Sequence, residues 1–266
     1  MKLAISNIAW DKNDDKIIYE LMHKYGFTGL EIAPTRVFPD NPYSHLDEAY
    51  EWICEIKQKY GFVVPSMQSI WYGISNKVFG DKEDRDYLVS YSKRAIDFAS
   101  KIGCSNLVFG SPKNRCIPNE LSKGKVAEIE NSFWGEIAKY AASKDTYFAI
   151  EANPVIYNTN YINYSIEAFE LVRNVTNTGL AVNYDLGCVI YNSEDLKVLE
   201  DNISLVNHIH ISEPGLATIA KRDLHDKLSK MLYELDYQNY VSIEMSKVED
   251  LKIVEDVMSY VAEVFR

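Results

Sequence analysis

Eight short β-branched or aromatic runs, each followed by a longer stretch of helical period, alternate along the 266-residue chain. At about 33 residues per strand–helix unit, this predicts an α/β fold closed into a single (β/α)8 TIM barrel. Two further observations agree. No Pro/Gly/Ser-rich linker or composition break divides the chain, so residues 1–266 read as one domain. The turn after the first strand, Ser6-Asn7-Ile8-Ala9-Trp10, is also free of glycine. An open dinucleotide-binding sheet would need glycines there to cradle a phosphate.

The first strand is expected over Lys2–Ser6, and the helix after it ends in Lys24-Tyr25-Gly26-Phe27. Glycine there supplies the left-handed residue that stops a helix. The second strand is expected over Gly29–Ala33. Ser44-His45-Leu46-Asp47 then reads as an N-cap with an acid three residues on, opening a helix through Gln58. Lys59-Tyr60-Gly61-Phe62 repeats the helix stop and leads into a third strand, Val63–Gln68. Within 84–102, Tyr87, Leu88, Tyr91, Ala95, Phe98, Ala99 and Ile102 recur at three- and four-residue steps, the period of an amphipathic helix. Lys101-Ile102-Gly103-Cys104 ends it before the strand Asn106–Gly110. Tyr147–Asn153, Leu180–Asp185, Val206–Ser212 and Tyr240–Met245 complete the strands. Leu251, Val254, Val257, Met258, Val261 and Phe265 mark a closing helix.

Composition narrows the function classes. Hydrophobic residues make up 47% and charged residues 25%, a globular balance that excludes fibrous and disordered chains. The net charge of −11 argues against nucleic-acid and anionic-membrane partners. No run approaches the roughly 20 apolar residues of a membrane span, and the N-terminus lacks the apolar stretch of a signal peptide. Cys54, Cys104, Cys116 and Cys188 match no zinc or redox spacing. Free thiols in a reducing cytoplasm are therefore expected. A homo-oligomer stays open.

Polar residues interrupt the last four strands. An acid or histidine inside an apolar strand must be paired, metal-bound or catalytic, since burying even an uncharged polar group bare costs roughly 2–7 kcal/mol. In such a barrel the active site forms at the C-terminal strand ends. Glu151, Asp185, His210 and Glu244 fall there on four successive strands, and His208 shares a face with His210. Three carboxylates and one imidazole suit one divalent cation, Mn²⁺, Mg²⁺ or Co²⁺, with Zn²⁺ as an alternative. The loaded site would keep one negative charge.

The order Glu151, Asp185, His208-x-His210-x-x-Glu213, Glu244 resembles the xylose isomerase-like barrel superfamily, as do the phrases Gly29-Leu30-Glu31-Ile32 and Val241-Ser242-Ile243-Glu244. That group includes D-tagatose 3-epimerase-type ketose epimerases, hydroxypyruvate isomerase, inosose dehydratase and AP endonucleases. The resemblance implies that Glu151, Asp185, His210 and Glu244 hold one metal, and that Glu151 and Glu244 also move protons. It implies an isomerase or epimerase of a small sugar, sugar phosphate or related hydroxy-carbonyl compound, acting through a metal-stabilised enediolate. A keto-polyol dehydratase and a non-catalytic sugar-binding barrel are the alternatives. The chain departs from ketose epimerases at three places. Cys188, Tyr157 and Leu216 stand where those enzymes carry His, Glu and Arg. The nuclease branch uses further histidines after strands 3 and 4, where this chain has Gln68 and Gly110-Ser111.

Around this centre, Gln68, Lys113, His208, Glu213 and Trp10 are expected to contact the substrate. Gln68 would bind a hydroxyl, and Lys113 or Arg115 a phosphate, carboxylate or sugar oxygen. Trp10 and Trp71 would wall a sugar ring, and Lys221-Arg222 would reach an anionic group if its loop folds inward. His208 would support His210 or meet the substrate, and Glu213 would contact a hydroxyl or orient His210.

Overall fold

A computed structural model describes residues 1–175 and 179–266 of the chain. Eight strands run parallel: β1 Lys2–Ser6, β2 Gly29–Glu31, β3 Ser66–Met67, β4 Asn106–Phe109, β5 Tyr147–Glu151, β6 Leu180–Asp185, β7 Val206–Ile211 and β8 Tyr240–Ile243. Their hydrogen-bonded order is β2-β1-β8-β7-β6-β5-β4-β3. Parallel bridges Gly29↔Val63 and Ile32↔Met67 join β2 to β3 and nearly close the ring. This is the (β/α)8 barrel that the strand–helix alternation predicts.

Six strands, β2, β3, β4, β5, β7 and β8, are shorter than expected, and in β2, β3 and β5 a local reason is visible. Pro65 has no N–H to give to a ladder, so the third strand is cut to Ser66–Met67. Before Pro34, the Ala33 N–H donates to Asn7 Oδ1 (2.9 Å) instead of to a strand partner. Beyond Glu151, the Asn153 N–H donates to the Ile162 carbonyl (3.0 Å) in a loop.

The helix stops are as expected. Gly26, Gly61 and Gly103 have φ of 71°, 70° and 73° and close helices Asp15–Tyr25, Leu46–Tyr60 and Lys82–Ile102. The expected cap at Ser44 is corrected. Ser44 belongs to a short 3-10 turn, its hydroxyl donates to the Asn41 carbonyl, and His45 precedes the helix without a side-chain cap. The turn made by Asn41-Pro42 takes Ser44 out of the capping position.

Helices wrap the barrel and bury its outer face. Between β4, β5 and helices Lys82–Ile102 and Lys123–Ala142, Trp71, Phe109, Phe133 and Trp134 pack with ring centroids 4.7–6.2 Å apart. The inner face is polar instead, with Ser66, Asn106, Asn183, His208, His210 and Ser242 all buried. That polar lining leads to the C-terminal mouth. No helix among the described residues is long and apolar enough to cross a membrane, and all four cysteines are free.

Candidate metal centre

Four strand ends converge on one point. Glu151 ends β5, Asp185 ends β6, His210 is the penultimate residue of β7, and Glu244 follows β8. One ligand atom from each lies within 4.8 Å of those of the other three. Metal–oxygen bonds of about 2 Å put donors up to roughly 4 Å apart across a small divalent ion, so this donor set fits one cation with little adjustment. His210 Nδ1 is 3.0 Å from Glu151 Oε1 and 3.1 Å from Glu244 Oε2.

The site is acidic beyond what its own groups balance. Burial, and then the neighbouring charges of Glu151 and Glu244, push the Asp185 carboxyl up to about 8. Burial also raises Glu244, against the His210 charge. Burial alone would lower the His210 imidazole, but Glu244 and Glu31 hold it well above its ordinary value. A proton on Nδ1 and a divalent cation are thus two ways of neutralising the same carboxylates. No Lys or Arg side chain among the described residues pairs with the carboxylates of Glu151, Asp185 or Glu244. Arg115 reaches the Glu151 backbone carbonyl (2.8 Å), not its carboxylate.

Each donor has a support. Asp185 Oδ1 accepts from the Cys188 N–H (2.7 Å), capping helix Leu186–Asn192, and Oδ2 accepts from Ser212 Oγ. Both oxygens of Glu151 accept amide hydrogens, from Asn183 (2.8 Å) and Asn153 (3.1 Å). Gly110 makes room, since a Cβ there would stand 2.7 Å from Glu151 Oε2. Behind His210, Nε2 lies 2.9 Å from Glu31 Oε1, and the other Glu31 oxygen lies 3.2 Å from His208 Nε2. When Nε2–H donates to Glu31, the neutral imidazole turns its Nδ1 lone pair to the mouth, as a metal ligand must.

A cavity of about 250 Å³ opens above the four groups, lined in part by Gln68, Gly110, Asn153, Tyr157, Glu213 and Leu216. Gln68 donates to Ser6 Oγ (3.2 Å) at its edge. Glu213 faces the cavity but is clamped by Arg222, with Nε at 2.7 Å from Oε1 and Nη2 at 2.5 Å from Oε2. The other expected contacts lie elsewhere. Trp10 is buried, donates to Asp15 (2.8 Å) and carries the Arg36 guanidinium over its ring. Trp71 is buried too and donates to Ser92 Oγ (3.0 Å). Lys113 is exposed and does not line the cavity. His208 sits under His210 against Glu31 and takes the supporting position rather than meeting the cavity. Arg115 is fully buried, with both Nη atoms on backbone carbonyls. Cys188 is likewise buried away from the cavity, while Tyr157 and Leu216 line it.

Glu31 and Asn183 join the centre without a role assigned to them from the sequence. Both break an apolar strand as the four ligands do, so the signal was present. The contact that fixes Tyr157, whose hydroxyl accepts the Gly215 N–H (2.9 Å), forms only where two loops meet.

A profile of the xylose isomerase-like TIM barrel matches residues 19–264. The chain belongs to that family. No curated protein sequence matches it. Among solved structures, this xylose isomerase-like barrel is similar to a 3-keto-D-glucoside 4-epimerase from E. coli, with 18% identity, 99% of each chain covered and a TM-score of 0.78. A D-psicose 3-epimerase from Clostridium cellulolyticum, solved with D-tagatose, has 16% identity, full coverage of both chains and a TM-score of 0.78. A probable 3-DHS dehydratase from Bacillus anthracis has 14% identity, coverage of 99% of this chain and 98% of that one, and a TM-score of 0.69. At these identities the likeness is one of fold.

Proposed function

We propose that the protein is a divalent-metal-dependent isomerase or epimerase of a small polyhydroxy-carbonyl compound, with Glu151, Asp185, His210 and Glu244 as the metal ligands. The observation that carries this reading is three carboxylates, two buried and that of Asp185 half-buried, meeting one imidazole with no Lys or Arg side chain among them in the described residues. A divalent ion there would polarise the substrate carbonyl and the neighbouring hydroxyl and stabilise the enediolate. Mn²⁺, Mg²⁺ and Co²⁺ suit the oxygen-rich donors best.

The chain's own residues supply the rest. Glu151 and Glu244 flank His210 from β5 and β8, so they address a bound substrate from different sides. One takes the proton from the carbon next to the carbonyl, and the other returns a proton, to the opposite face or to the next carbon. Hydrogen bonds donated by the side-chain amides of Asn153 and Asn183 hold the Glu151 carboxylate in place for this. Tyr157, whose pKa burial pushes up to about 12, stays neutral and has its O–H available to a substrate oxygen. Gln68 and Glu213 remain the hydroxyl-binding candidates on the cavity wall.

The test is solvent deuterium uptake by a panel of ketohexoses, with Mn²⁺-loaded protein and its Glu151→Gln variant. Loss of exchange with metal retained supports the proton role, and full turnover in the variant removes it. A dehydratase would begin with the same proton abstraction and then expel a β-hydroxyl, and the solved probable 3-DHS dehydratase shares this fold. Loss of water with a new enone absorbance, in place of interconversion at constant mass, identifies that chemistry.

A further inference from the structure

We propose that the cavity selects an uncharged polyhydroxy-carbonyl substrate and rejects phosphate esters and carboxylates; this rests on the isomerase reading above and names its substrate class. Among the described residues, the cavity wall carries four carboxylates, on Glu151, Asp185, Glu213 and Glu244, and neither Lys nor Arg. One divalent ion leaves the three ligand acids with a net negative charge, and Arg222 cancels Glu213. A phosphate entering this space meets negative potential with nothing to offset it.

Among the described residues, the Lys and Arg side chains near the mouth lie outside the cavity wall. Arg115, fully buried, spends Nη1 on the Glu151 carbonyl (2.8 Å) and Nη2 on the Ile162 carbonyl (3.1 Å). Arg36 forms an ion pair with Asp15 (2.5 Å) and stacks on Trp10. Lys113 is exposed and does not line the cavity. The helix N-terminus at the site offers no anion cradle either, because Asp185 caps it. The rest of the wall is neutral, with Ile8, Val108 and Leu216 beside Gln68, Ser69, Ser111, Asn153 and Tyr157, where a phosphate would require a guanidinium or ammonium.

The test titrates D-fructose 6-phosphate calorimetrically into the wild-type protein and Leu216→Arg, each metal-free and Mn²⁺-loaded. Leu216 lines the cavity without touching the four ligand groups' hydrogen bonds, and Ile8→Lys, from the loop after β1, stands in if Leu216→Arg does not fold. The wild type should show no binding below about 10 mM, and the added cation should strengthen binding at least about tenfold. Wild-type binding tighter than about 1 mM, or no gain in the folded variants, would overturn the proposal. Mn²⁺ binding is read separately in the same cell. Its absence would remove the isomerase reading, while the metal-free titrations still decide charge selectivity.

Discussion

His210 belongs to two charge clusters that share one imidazole and solve the same problem in opposite ways. Below it, Glu31 sits between two imidazoles, and although burial opposes its charge, His210 and His208 hold its carboxyl far below the usual range. Above it, three carboxylates crowd the other ring nitrogen, and Asp185 and Glu244 are pushed up. The lower cluster is complete with protein groups alone, and the upper one is not. A buried, satisfied ion pair is architecture, whereas buried like charges are tolerated where function needs them. The lower cluster therefore reads as the support and the upper one as the working site.

The sharpest way to break this contrast is Glu31→Ala. Removing the carboxylate strips two buried imidazoles of their partner and should cost about 3–5 kcal/mol of stability. Urea unfolding of the metal-free variant measures it, and a loss under about 1 kcal/mol would mean that the lower cluster is not structural. Next in size is the pH response of the metal-free protein. Asp185, Glu244 and His210 all bind protons more tightly folded than unfolded, so stability should fall as pH rises. From roughly pH 6 to pH 8, Asp185, which titrates at about 8, contributes about 2 kcal/mol of that loss. Saturating Mn²⁺ should reverse the slope, because metal binding needs the deprotonated carboxylates. Melting curves across that range with and without metal settle the sign.

Smaller effects separate the mouth's frame from its surroundings. Arg222→Ala removes the clamp on Glu213, and because Arg222 is 38% exposed the cost should be only about 1 kcal/mol. Faster amide exchange in the loop 214–222 should accompany it. Lys113→Ala should change stability by less than about 0.5 kcal/mol and leave Mn²⁺ affinity unaltered, in keeping with its exposed position.

The four converging strand ends and the barrel were legible in the sequence because both rest on local pattern. A strand reveals its inner face by alternation, and an acid on that face stands out. What alternation does not give is depth. Glu31 breaks its strand as plainly as Glu151 does, yet its place beneath His210 depends on strands 2 and 7 facing each other across the barrel. Loop side chains were the least legible. Trp10 follows the first strand as a sugar-stacking residue would, but Asp15 and Arg36 draw it into the wall. The Ser44 cap failed for a similar reason, since the Asn41-Pro42 turn set its geometry first.

The most direct test of the upper cluster is a calorimetric titration of metal-free protein with Mn²⁺ beside Asp185→Asn. Asp185 is a proposed ligand without a proposed proton-transfer role, so its loss isolates metal binding from chemistry. Binding of one ion per chain, weakened at least about 100-fold in the variant, is the predicted result. No binding by the wild type, or equal binding by both proteins, would contradict the metal centre.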